Sequence, residues 1–123
     1  MSIALALAVC ASPVVIDGDT FRCGQVRYRI GGIDAPDKSC TGRRAGNCAV
    51  YGPRGDWLVS RDYLRRALAR GRLTLHIYKG ATYGRRIAAV CVRGANIGAV
   101  MIAEGYAVYK PTWNGAAVRV RCK

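Results

Sequence analysis

A chain of 123 residues has room for one compact domain with a modest hydrophobic core, and twenty Lys and Arg against seven Asp and Glu give it a formal charge of +13. That imbalance favours a polyanionic partner, with nucleic acid ahead of an anionic membrane. The six cysteines include no Cys-x-x-Cys pair and the single histidine, His76, has no cysteine at finger-like spacing, which argues against structural zinc and for disulfides made in an oxidising compartment.

Residues 1–11 are apolar, carry no basic segment and are too short to cross a bilayer, so no membrane anchor is expected. Residues 1–12 read equally as the remnant of an export signal, ending in Val9-Cys10-Ala11, or as a first strand, and residues 13–123 read as a single domain. A β-branched run at 14–16 is followed by Asp17-Gly18-Asp19-Thr20, which marks a hairpin. Val26, Tyr28 and Ile30 alternate with Arg27 and Arg29, as expected of a strand with one polar face. Gly31-Gly32 directly after it suggests a close backbone approach. Residues 37–50 are polar, basic and aperiodic and read as a loop, within which Cys40 and Cys48 are the expected local disulfide.

Pro53 suits the first turn of a helix that would end near Gly71, with Trp57, Leu58, Leu64 and Leu68 facing the core and its arginines facing water. Leu73, Leu75 and Ile77 alternate with Thr74, His76 and Tyr78 in a fourth strand, and residues 87–92 form a fifth. His76 on the polar face is given no role. Asn96 is a good N-cap for a last helix that stops at Gly105, and the basic tail from Lys110 is expected to be irregular. The pattern is mainly β with helices, an α+β chain built as a small barrel, for which an OB-type barrel is the obvious candidate.

Four of the seven acidic residues fall in two tight groups, Asp17 with Asp19 and Asp34 with Asp37. Oxygen ligands gathered at strand ends suit a hard cation, although all four also suit ordinary turns. Arg29 and Arg85 could reach a phosphate, whose oxygens a guanidinium binds bidentately.

Four ordered motifs resemble those of the staphylococcal-nuclease-like (thermonuclease) family. They are Val15-Ile16-Asp17-Gly18-Asp19-Thr20, the run Tyr28-Arg29-Ile30-Gly31-Gly32-Ile33-Asp34-Ala35-Pro36-Asp37, Tyr51-Gly52-Pro53 and Tyr83-Gly84-Arg85, followed by Tyr109-Lys110-Pro111. The resemblance implies a five-stranded OB-type barrel with three helices. It implies a secreted or periplasmic, monomeric, calcium-dependent nuclease that hydrolyses DNA and RNA and favours single strands. By position, Asp19, Asp34 and the backbone carbonyl of Ala35 correspond to calcium ligands, and Arg29 and Arg85 to phosphate-contacting arginines. Asp37 stands where the family carries the glutamate that activates water, one methylene shorter. Tyr83 and Tyr109 correspond to substrate-contacting aromatics. Ala81-Thr82 departs from the acidic and basic residues that commonly precede Tyr-Gly-Arg. The alternative from a different class is a nucleic-acid-binding module without catalysis.

Overall fold

The computed structural model describes residues 4–40, 48, 50–51, 55–82 and 84–123, so the expectations for the middle of the 37–50 loop, for Pro53 and for Tyr83 lie outside the described residues. The fold is mixed α+β and dominated by strands. In chain order these are β1 (Ala4–Cys10), β2 (Val14–Asp17), β3 (Thr20–Cys23), β4 (Val26–Ile30), β5 (Ile33–Asp34), β6 (Leu73–Thr82), β7 (Arg85–Val92), β8 (Ala95–Asn96) and β9 (Val108–Tyr109). Helix α1 (Trp57–Leu68) precedes β6, α2 (Ile97–Ala103) follows β8, and two 3-10 turns cover Pro111–Trp113 and Gly115–Arg119. Among the described residues no helix is long and apolar enough to cross a membrane.

The main sheet runs β1-β6-β7-β4-β3-β2, with β8 added alongside β7 and a separate ladder joining β5 to β9. β4 pairs with β7 in parallel, Arg29 opposite Ile87, while the other neighbours are antiparallel. The expected closed barrel of five strands is therefore corrected in its hydrogen bonding: among the described residues no ladder joins β1 to β2, and short strands at β5, β8 and β9 raise the count. Among the described residues the helix count also differs from three, with two α-helices and 3-10 turns in the tail expected to be irregular.

The hairpin at residues 14–23 forms as the β-branched run and turn residues require, with Val15 opposite Phe21 and Asp17 opposite Thr20. Its turn packs on α1, where a Cβ on Gly18 would overlap the Ser60 hydroxyl and meet Ala35 Cβ at 2.8 Å. Only glycine allows that approach. At the end of β4, Gly32 takes a φ of +78° and a Cβ there would meet Val118 Cγ1 at 2.8 Å, which explains the paired glycines.

Phe21, Ile33, Leu64, Leu73, Val90 and Met101 are fully buried between the sheet and the two helices. Burying a side chain of this size stabilises the fold by roughly 1.5–3 kcal/mol. Asp56 caps α1 by accepting from Leu58 N at 2.8 Å, and Asn96 caps α2 by accepting from Ala99 N at 3.1 Å. Leu64 and Leu68, four positions apart, share the core face of α1, while Leu58 lies off that face and is exposed, against expectation. A second small cluster of Tyr78, Ala89, Ala117 and Val120 forms where the tail folds under the sheet. Asn96 Nδ2 donates to the carbonyls of Ala117 and Val120, both at 2.9 Å, and the Cys91–Cys122 disulfide holds the end of the tail to β7. Cys10–Cys23 and the expected Cys40–Cys48 complete three disulfides.

Candidate active site

Four elements bring charged side chains to one end of the sheet. The turn after β2 carries Asp17 and Asp19, β4 carries Arg29, β5 carries Asp34 and the start of β7 carries Arg85. Arg29 belongs to the polar side of β4 by alternation, yet it is 2% exposed. Its Nη1 lies 3.1 Å from Asp19 Oδ1, its Nη2 donates to the Ile33 carbonyl at 3.0 Å, and Nη2 is 3.6 Å from Asp34 Oδ1. Trp113 covers one face of the guanidinium, with the ring centre 3.2 Å from Arg29 Cζ. Arg29 Nε is buried and has no hydrogen-bond partner among the described residues. A buried unsatisfied donor is costly in a native structure, so an acceptor brought to this edge of the guanidinium would be favourable.

Asp19 Oδ2 accepts from Ala35 N at 2.9 Å, and its Oδ1 accepts from the Thr20 hydroxyl at 3.0 Å. Thr20 Oγ1 in turn accepts from Arg85 Nη1 at 2.9 Å, so one hydroxyl links Asp19 to the second candidate arginine. Burial pushes the Asp19 carboxyl up to about 6 against the pull of Arg29, and the nearby Asp17 pushes the same way. Burial likewise lowers the Arg29 pKa, opposed by Asp19, although a guanidinium stays charged. Tyr51 donates to Asp34 Oδ2 at 3.1 Å, and burial, followed by the Asp34 charge, raises its phenol above the ordinary value.

Asp37 is close to this group but held differently. Its exposed Oδ1 accepts from Ser39 N at 2.9 Å and from the Ser39 hydroxyl at 2.6 Å, and these bonds lower its pKa. Asp34, Asp37, Ser39, Cys40, Val50, Tyr51 and Trp113 line a cavity of about 480 Å³. Tyr109 does not join them. It pairs with Ile33 across the β5–β9 ladder and lines another cavity, with Pro111, Asn114 and Arg119. The described structure thus gathers Asp19, Arg29, Asp34 and Arg85, sets Ala35 and Asp37 at their border, leaves Tyr109 to one side, and does not include Tyr83. Thr20, Tyr51 and Trp113 were missed as site residues. Thr20 and Tyr51 lie in quoted motifs, but no local spacing distinguishes Trp113.

Among the described residues no three His, Cys, Asp or Glu side chains form a complete ion-binding group. Asp19 and Asp34 nevertheless flank one guanidinium on the same side of the fold, and a buried carboxyl with a raised pKa would be relieved by a cation. Two carboxylates completed by carbonyls and water suit calcium or magnesium, whereas a soft metal would find every cysteine already in a disulfide. The donor set fits a hard divalent ion.

A family model described as staphylococcal nuclease homologue matches residues 27–119. The chain belongs to the staphylococcal nuclease homologue family. No curated protein matches it. The span matched by the staphylococcal nuclease homologue model contains Arg29, Asp34, Ala35, Asp37, Arg85 and Tyr109, while Asp19 and its hairpin precede it. Membership in a family of nucleases gives the chain a nuclease-like or nucleic-acid-related function, in keeping with its charge.

Proposed function

We propose that this protein is a calcium-dependent nuclease that hydrolyses phosphodiester bonds in DNA and RNA without selecting the sugar. The observation that carries the reading is Arg29, buried between Asp19 and Asp34 with one donor unfilled and linked through Asp19 and Thr20 to Arg85. A phosphate oxygen is the acceptor that suits that edge, because a guanidinium presents a planar fork of donors and keeps its charge. Arg29 and Arg85 stabilise the negative charge that grows on the phosphoryl oxygens in the transition state. Asp19, Asp34 and the Ala35 carbonyl hold the calcium ion, which when bound would polarise the phosphate and lower the pKa of a bound water. Asp37 orients or deprotonates the attacking water.

Tyr83 and Tyr109 contact the nucleotide, and stacking on splayed bases favours single strands. Five strands, β1, β6, β7, β4 and β3, follow one another in the sheet, and Cys10–Cys23 joins the first to the last. That arrangement supports an OB-type barrel as the frame of a single domain, with Ala4–Cys10 as its first strand. Three disulfides support a secreted or periplasmic protein, and we take it to act as a monomer.

The test is digestion of single-stranded DNA with calcium, with magnesium and with chelator, beside Arg29→Ala. Calcium-dependent cutting that is lost in Arg29→Ala is expected, and cutting indifferent to both chelator and that substitution would sink the mechanism. One observation favours a second reading, a nucleic-acid-binding module without turnover: Asp37 is shorter than the family residue and is tied to Ser39. Salt-sensitive binding of the same oligonucleotide with no cutting would decide for it.

A further inference from the structure

We infer that Trp113 is a positioning residue for Arg29, an assignment that rests on the nuclease reading above for its effect on rate. The indole belongs to neither hydrophobic cluster of the fold and is only half-buried, so packing the core does not explain it. Its backbone is fastened to the turn that precedes Asp34: Gly32 N donates to the Trp113 carbonyl at 2.6 Å, and Lys110 N donates to the Gly32 carbonyl at 2.7 Å. Trp113 N donates back to the Lys110 carbonyl at 3.1 Å, which closes the 3-10 turn on itself. The ring is therefore held by the same short segment that presents Asp34.

Contacts to Arg29 divide into two kinds. Asp19, Asp34 and the Ile33 carbonyl engage the Nη groups, while the indole lies against the flat face with its centre 3.2 Å from Cζ. Hydrogen bonds to Nη1 and Nη2 resist sliding within the guanidinium plane. The flat contact resists rotation of that plane, which the hydrogen bonds alone control poorly. The result is that the unfilled Nε–H is held in one direction. Trp113 also lines the cavity shared by Asp34, Asp37 and Tyr51, so the plane is set beside the space a substrate would enter. A donor fork aimed before the phosphate arrives avoids paying for orientation in the transition state, and a misaimed one loses rate more than affinity.

The test is a double-mutant cycle on cleavage of a short single-stranded oligonucleotide with calcium. Trp113→Leu is expected to lower kcat by about tenfold or more with KM changed less than about threefold, while Trp113→Phe, which keeps a flat ring, stays within about threefold of the parent. In Arg29→Lys protein, where a compact ammonium cannot stack flat, Trp113→Leu should change kcat less than about twofold. Equal losses from Trp113→Leu in both backgrounds, or Phe no better than Leu, would overturn the assignment. A readout independent of activity uses Trp57→Phe protein, in which Trp113 is the sole indole. Arg29→Lys should shift its fluorescence emission, and unchanged emission would also overturn the stack. Absence of cutting by the parent protein would reject the nuclease reading, and the emission measurement would still decide the contact.

Discussion

Acidifying the calcium-free protein from about pH 7.5 to about pH 5 is expected to stabilise it, because the folded state takes up a proton on Asp19 that the unfolded chain does not. The Asp19 carboxyl titrates near 6 in the fold against an ordinary 3.8, raised by burial despite Arg29. Between those two values the folded state binds more protons than the unfolded one, so stability falls as pH rises through the window. Integrating the two titrations gives a gain on the order of 1 kcal/mol between pH 7.5 and pH 5, and a few kcal/mol once both states are protonated. For a chain of this length the smaller figure corresponds to a Tm rise of roughly a few degrees. Asp37 does not interfere, since its lowered pKa makes its contribution vanish only below the ordinary 3.8.

The measurement is thermal unfolding in chelator at both pH values for the parent and for Asp19→Asn. Comparing the two chains cancels the growing repulsion of a protein already at +13. Excess calcium should reverse the trend, because the ligand carboxylates must be ionised to hold the ion. A parent and an Asp19→Asn protein with the same pH dependence in chelator would refute the burial argument.

Replacing both Cys91 and Cys122 with alanine should cost about 4 kcal/mol, against about 2.5 kcal/mol for Cys40 with Cys48, from the loop lengths alone. The sequence separations are 31 and 8, and urea midpoints of the two double variants measure the order. Ser39→Ala removes the hydroxyl bond to the Asp37 carboxylate, leaves the bond from Ser39 N and raises the Asp37 pKa, and Asp37→Glu extends its reach. Each should raise kcat for oligonucleotide cleavage, Asp37→Glu by roughly tenfold, a part of the roughly 10²–10⁴-fold that general base catalysis contributes. A lower rate in both would show that the shorter, tethered acid is the adapted form.

The strands were legible where burial has two sides. Leu73, Leu75 and Ile77 alternate and are buried, and Gly31-Gly32 lies where Ala117 and Val118 press on the backbone. Leu58 is exposed because, six positions before Leu64 on a helix turning about 100° per residue, it lies about 120° round from the face that Leu64 and Leu68 share. Tyr78 was read as facing water because its cover, the second 3-10 turn, arrives from nearly forty positions along the chain. No local pattern announces a partner of that kind. The same distinction governs the site. Asp19, Arg29, Asp34 and Arg85 were named through ordered motifs, and the structure brings them together. Trp113 and Thr20 act through contacts between distant segments, and Tyr109 follows the β5–β9 ladder away from the carboxylates.

The Cys10–Cys23 bond has a consequence for where the protein can be whole. β1 and β3 are separated by the full hydrogen-bonded succession of β6, β7 and β4, and a disulfide spans the remaining gap between them. That gap is fastened by electron transfer, since two thiols must be oxidised to make the bond. In a thiol-rich compartment the chain would keep its ladders but lose the fastening, leaving two strand edges free to pair with other chains. Maturation of this basic fold is thereby tied to the redox state of its surroundings, and so is the candidate site, whose cavity is lined by Cys40 of a second disulfide.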